Sequence, residues 1–293
     1  MDSTFDEEVD AGDVWTPLQV ASSSGDLAAV QALLIAGHDP NELPRGFYGR
    51  TALQAAAVDG HIPVVKHLLK AGASPNAPGG NNGGIPALAL AARSGHMSIV
   101  QLLTEAGADL NASPHRYMGR TPLQAAAENG NMEIVELLLS RGANVNESTA
   151  HHFGRTALQA AAAGGYGAVV ECLLECGADV NAPASKYRGL TALQGACGCG
   201  DVAIVRRLLE AGAKVNSAAS YYNGVTALAA ASASGNLDIV EVLVGAGADV
   251  SQPSGNKHQI ALEIAVANDH AELASLLTPE CLVDDGGDNG NGK

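Results

Sequence analysis

Thr51-Ala52-Leu53-Gln54-Ala55-Ala56-Ala57 returns almost letter for letter at Thr121, Thr156 and Thr191, and weaker copies begin at Thr16, Pro86, Thr226 and Ile260. The motif leucine therefore falls at positions 18, 53, 88, 123, 158, 193, 228 and 262, in steps of 35 residues closed by one of 34. A fixed period in this range marks a solenoid, whose units bury their apolar faces only against their neighbours. The spacing predicts an all-α chain of about eight repeats, starting near 16, 51, 86, 121, 156, 191, 226 and 260.

Within one unit, Thr51 is placed to cap a helix through its hydroxyl, and Ala-Leu-Gln-Ala-Ala-Ala combines high helix propensity with little bulk. Gly60 ends that short helix, as Gly25, Gly95, Gly130, Gly165, Gly200 and Gly235 do in other repeats, where a positive φ turns the chain. A second helix carries apolar pairs at helical spacing: Val64, Val65, Leu68 and Leu69 in one repeat, Ile134, Val135, Leu138 and Leu139 in another. Gly72-Ala73 and its counterparts stop it. An asparagine follows four residues past that glycine, at 41, 76, 111, 146, 181 and 216. Polar, glycine-rich and aromatic residues then lead to the next threonine, and these are turn and hairpin letters.

The unit resembles an ankyrin repeat. Thr-Pro/Ala-Leu-Gln-x-Ala-Ala, then Gly, then Val-x-x-Leu-Leu, then Gly-Ala-x-Val-Asn follow that family's signature over residues 15 to about 278. The Thr-Ala-Leu-Gln-Ala-Ala-Ala style with long aromatic connections is similar to fungal ankyrin arrays, which often follow a nucleotide-binding or effector domain; no such domain is expected in these residues. The resemblance implies an ankyrin-repeat solenoid over 15–278, built of helix-turn-helix units with β-hairpin fingers whose tips and inner helices line a concave binding face. Residues 1–14 and 279–293 are expected to be disordered tails, the first strongly acidic. Trp15 starts the first repeat and is placed to cover its open face. Two departures stand out. Gln19, Gln54, Gln124, Gln159 and Gln194 stand where the family usually has His, and the period exceeds the usual ~33 residues. Glutamine still donates and accepts, so the polar tie between neighbouring units is expected to survive, with longer fingers.

No apolar run approaches the ~20 residues needed to cross a bilayer. Met1 to Glu8 lacks the charged and apolar regions of a secretory signal, so a cytoplasmic or nuclear location is expected, away from membranes. Five cysteines in such a chain argue for free thiols. Cys172 with Cys176 and Cys197 with Cys199 are spaced like two zinc-ligand pairs. Cys197, however, takes a motif alanine position and Cys176 the alanine before the helix-ending glycine, so small buried thiols replacing alanine are the reading adopted. No metal or cofactor is expected.

Charge is the most informative feature after the repeats. The six inter-repeat fingers 42–50, 77–85, 112–120, 147–155, 182–190 and 217–225 hold seven cations, Arg45, Arg50, Arg116, Arg120, Arg155, Lys186 and Arg188, against Glu42 and Glu147. That local balance of +5 sits in a chain of net charge −15. The fingers also hold Phe47, Tyr48, Tyr117, Phe153, Tyr187, Tyr221 and Tyr222, with Phe47, Tyr117, Tyr187, Tyr222 and His152 in one register column. Aromatic and arginine side chains are enriched in binding hot spots. The column either presents a binding stripe or stacks to brace successive fingers, and Arg50, Arg120 and Arg155 are placed to pair with neighbouring acidic helices. Arg116, Lys186 and Arg188 lie at the tips. A second candidate set, Asp59, Arg93, Glu128 and Asn129, sits at the ends of inner helices, where residues vary inside a constant frame.

Catalytic signals are sparse. The phosphate-cradling Gly-x-x-x-x-Gly-Lys-Ser/Thr, Gly-x-Ser-x-Gly and His-Glu-x-x-His patterns are all missing from the sequence. His115, His151 and His152 lie in fingers without a carboxylate at ligand spacing, and His61, His96 and His270 sit at helix ends, where capping or packing explains them. The function expected is a protein–protein interaction module or scaffold that binds an acidic or extended partner segment through the finger residues and inner-helix face. Nucleic acid is not expected as a partner, given the acidic total. The alternative is a small-molecule binder or unusual enzyme using finger Tyr, His and Arg residues as acid, base and anion clamp.

Overall fold

The computed structural model describes residues 15–44, 49–79, 85–112, 119–147, 149 and 154–278. They fall in two compact units, Met1–Ala157 with Glu175–Ala178, and Leu158–Leu174 with Asp179–Lys293. In the first, short and long helices alternate as α1 (Pro17–Ser23), α2 (Leu27–Ile35), α3 (Ala52–Val58), α4 (Ile62–Lys70), α5 (Ala87–Arg93), α6 (Met97–Glu105), α7 (Pro122–Glu128) and α8 (Met132–Ser140). The second continues with α9 (Ala157–Gly164), α10 (Gly167–Glu175), α11 (Ala192–Cys199), α12 (Val202–Glu210), α13 (Ala227–Ser234), α14 (Leu237–Gly245), α15 (Ala261–Ala267) and α16 (Ala271–Leu276). In the first unit α1, α3, α5 and α7 stack side by side, each backed by the helix that follows it; α11, α13 and α15 stack likewise in the second.

Burial explains the composition of the two helix types. Ala52 through Ala57 are all buried, so α3 is enclosed on every side and only small side chains let its neighbours approach. In α11 a motif alanine becomes Gly195, where a Cβ would stand 3.0 Å from Ala163 Cβ of α9. The long helices bury one face: Val64, Val65 and Leu68 of α4 are fully enclosed, and each such side chain contributes about 1.5–3 kcal/mol.

The threonine and glutamine of the motif act together. Thr51 Oγ1 accepts from Gln54 N at 3.2 Å while Gln54 Oε1 accepts from Thr51 N at 2.9 Å, a reciprocal cap repeated at Thr16, Thr121 and Thr191. Gln54 Nε2 then donates to Ala77 O at 3.1 Å, fastening the short helix to the connection that leaves its own repeat. Gln19, Gln124, Gln159 and Gln194 reach the residue 23 positions on in the same way. The expected glutamine tie therefore holds the repeat to its exit segment, and other side chains join neighbours. Asn41 Nδ2 donates to Gly72 O at 2.9 Å and Asn41 Oδ1 accepts from Ser74 N at 2.7 Å. Asn76 repeats both bonds on Gly107 and Asp109, Asn181 on Gly212 and Lys214, and Asn216 on Gly247 and Asp249.

Glycine is required where these ties press close. Gly60 has φ +83, and a Cβ there would meet the His96 ring at 2.7 Å. His96 Nε2 lies 3.1 Å from Val58 O, which only accepts, so that nitrogen carries the proton. His61 does the same on Ser23 O at 2.8 Å, so these helix-end histidines are packing and tying groups. Where the last repeat has Asp269 in place of glycine, the residue still adopts a left-handed φ of 60.

The described residues contain no β-strand. Isolated bridges join Tyr187 to Tyr222 and Ser254 to Gln259, so the described finger tips are tight turns. At the N-terminal end Trp15 is half-buried and lines a groove of about 690 Å³ with Val20, Ala29 and Leu33, yet Val20 stays 52% exposed and Ile35 87% exposed. Trp15 does not cover that face.

Candidate functional site

The finger residues that the structure brings together lie in the second unit, on the connections 182–190 and 217–225. Each tip is a closed turn. Gly224 N donates to Ser220 O at 3.1 Å, and a Cβ on Gly224 or Gly189 would overlap the backbone of Ser220 or Ser185. The residue before each glycine is left-handed without being glycine: Arg188 has φ 52 and Asn223 φ 55. Such a backbone costs about 1–2 kcal/mol for a residue with a Cβ.

Cross-bonds hold successive tips in register. Ser220 Oγ donates to Lys186 O at 2.8 Å, and Arg188 N donates to Tyr222 O at 3.2 Å beside the parallel Tyr187–Tyr222 bridge. This register stacks the two tyrosine rings, 4.9 Å between centroids and 8° from parallel, and Tyr221 stands edge-on to Tyr222 at 4.7 Å. Lys186 Nζ lies 5.7 Å from the centroid of Tyr187, within cation–π range. The bracing role expected of the column is thus present for Tyr187 and Tyr222. It leaves Tyr221 64% and Tyr222 40% exposed, with Lys186 and Arg188 exposed beside them.

A third tip belongs to the same ladder and was not among the sequence candidates. Asn223 N donates to Asn256 Oδ1 at 3.1 Å, and a Cβ on Gly255 would meet Gly224 O at 2.7 Å. The third tip carries exposed Lys257 and His258, and His258 again has φ 52. Its signal was in the register: Lys257 continues the column of Tyr187 and Tyr222 one 35-residue step on.

The inner-helix candidates lie in the first unit, at the ends of α3, α5 and α7. Asp59 is exposed and accepts from Ser23 Oγ at 2.8 Å. Arg93 is exposed, and Asn129 Nδ2 donates to Ala125 O at 3.3 Å. Glu128 pairs with Arg120 at 3.2 Å, the arginine side chain only 13% exposed. That arginine braces the acidic helix it precedes, the pairing expected of its position. Phe47, Tyr48, Arg116, Tyr117, His152 and Phe153 lie outside the described residues, as do His115 and His151.

The cysteines divide. Cys197 is fully enclosed in its alanine position, and desolvation pushes its thiol from 9.0 up to about 12. Cys172 is half-buried, whereas Cys176 and Cys199 are exposed, which corrects the expectation of a buried thiol at 176. Among the described residues no group of three or more His, Cys, Asp or Glu is arranged to hold a metal ion. No helix among them is long and apolar enough to cross a membrane.

Stacked pairs of short enclosed helices and amphipathic ones, left-handed glycines at their ends and side-chain ties of one repeat's reach define a helical repeat solenoid. A family model described as ankyrin repeats (3 copies) matches residues 18–114, 78–149, 111–184, 146–219 and 183–254, and the chain belongs to the ankyrin-repeat family. Ankyrin repeats are generally protein–protein interaction modules. Comparison with curated proteins finds no match.

Proposed function

We propose that the chain is a non-catalytic interaction scaffold of eight repeats, working in the cytosol or nucleus, whose finger tips take an acidic or extended segment of a partner protein. The observation that carries this reading is the tip ladder of the second unit. Exposed Lys186 and Arg188 flank a tyrosine stack with Tyr221 uncovered at its edge, on backbone that is bonded from tip to tip. A rigid aromatic and cationic surface loses little conformational entropy when it binds, and it attracts anionic chains from a distance. Asp59, Arg93, Glu128 and Asn129 are proposed as a separate set of partner contacts in the first unit, and Phe47, Tyr48, Arg116, Tyr117, His152 and Phe153 are proposed contacts on their sequence alone. The test is fluorescence anisotropy with a labelled Glu-rich peptide and a Lys-rich control. The Glu-rich peptide should bind more tightly, and Tyr221→Ala with Arg188→Gln should weaken it about tenfold or more. Equal binding of both peptides, or indifference to the substitutions, would overturn the reading.

A further inference from the structure

The three connections of the second unit, 182–190, 217–225 and 252–260, contain Lys186, Arg188, Lys257 and His258 and not one Asp or Glu, in a chain of net charge −15. All four side chains are exposed, and among the described residues no carboxylate pairs with them. Ser220, Arg188 and Asn223 bond one tip to the next, so the cations Lys186, Arg188 and Lys257 sit on a single framework with Tyr221 as an uncovered apolar step. Like charges held this way repel each other, and an anionic occupant relieves that repulsion.

The same unit carries a segment of matching chemistry. Residues 279–293 follow α16 and hold Glu280, Asp284, Asp285 and Asp288 against Lys293 alone, with Leu282-Val283 just before the paired aspartates. Register points the same way. The N-caps of α14 and α16, Asn236 and His270, are 34 residues apart. The same step carries Ser251 to Asp285, and Ser254, where the third tip turn opens, to Asp288. The segment therefore stands in sequence where the next connection would be, and each described tip of this ladder lies against the one before it. Ten residues from Thr278 to Asp288 reach at most about 33–36 Å.

We propose that residues 280–288, which lie outside the described residues, are the resident occupant of the tip ladder, their four carboxylates complementing Lys186, Arg188 and Lys257. An external acidic partner must displace them. This rests on the reading of the tips as an anion-recognising surface. It differs from that reading in naming a segment of the chain itself as the competitor.

The test titrates a labelled synthetic peptide of residues 279–293 at low salt into three full-length chains. They are the native chain, a variant with Glu280→Gln, Asp284→Asn, Asp285→Asn and Asp288→Asn, and a control of equal net charge with Glu105→Gln, Glu133→Gln, Glu136→Gln and Glu175→Gln. The neutralised tail should give about tenfold tighter peptide binding than the native chain, the factor that a millimolar effective concentration sets against a site of ~0.1 mM. Adding Lys186→Gln, Arg188→Gln and Lys257→Gln to that variant should abolish the gain. Equal affinity for the native and neutralised chains, or the same gain in the charge control, overturns the resident segment while leaving tip recognition standing. Failure of the peptide to bind any of the chains overturns tip recognition and this inference together.

Discussion

Glycines 60 and 72 share a left-handed backbone, with φ +83 and +89, yet face different surroundings. Around Gly72 an added Cβ meets nothing within 4 Å, so Gly72→Ala should cost only the conformational strain, about 1 kcal/mol. At Gly60 the Cβ would also displace the His96 ring and its bond to Val58 O, raising the expected cost to about 2–4 kcal/mol in chemical denaturation. Adding His96→Ala should bring the two glycine effects close together; if they already match with His96 in place, the ring carries no weight. The repeating glycine was plain in the sequence, but its ring neighbour was not, because the two lie a full repeat apart. Cys197 makes a pH-dependent prediction. Its folded thiol is raised to about 12 from 9.0, so the unfolded chain releases that proton first. The stabilisation is complete below about pH 9 and is lost as pH rises toward 12. Cys197→Ala should flatten the alkaline limb of a stability–pH curve, and the native thiol should resist alkylation at pH 8 while Cys176 and Cys199 react.

At the scale of the helix and its connection, the glutamine of the motif joins two ends that would otherwise part. Gln54→Leu preserves volume but leaves Thr51 N and Ala77 O without their side-chain partners in a buried site. A loss of about 2–3 kcal/mol is expected, with faster hydrogen exchange at the N-terminus of α3; a loss under about 0.5 kcal/mol would show that water satisfies both groups. The helices were legible from letters alone, since threonine, alanine run, glycine and paired Val-Leu each carry a local instruction. The connections were less so. Their shape depends on a serine of one tip meeting the carbonyl of another, and Ser220 differs in no local way from other loop serines. The aromatic column is legible because it repeats a kind of letter, whereas Lys257 holds the same register with a different letter and gives no such signal.

For the molecule as a whole, the ties described between repeats never reach far: the longest, from Asn131 to Ala92, spans 39 residues. Stability should accordingly be set by each repeat and its immediate neighbours, and folding should not wait on distant segments finding each other. That arrangement has a hereditary side. Pro86 to Arg120 is one full period, and removing it would set Asn131 on Ala57 O and Asn76 on Gly142 O, carbonyls equivalent to those they now hold. The shortened chain should keep its helical circular dichroism per residue and melt cooperatively, while removal of 86–103 alone should not. An array fastened in this way can gain or lose whole units by unequal recombination without rewriting a single letter elsewhere. Its length is then free to follow the length of whatever it must grasp.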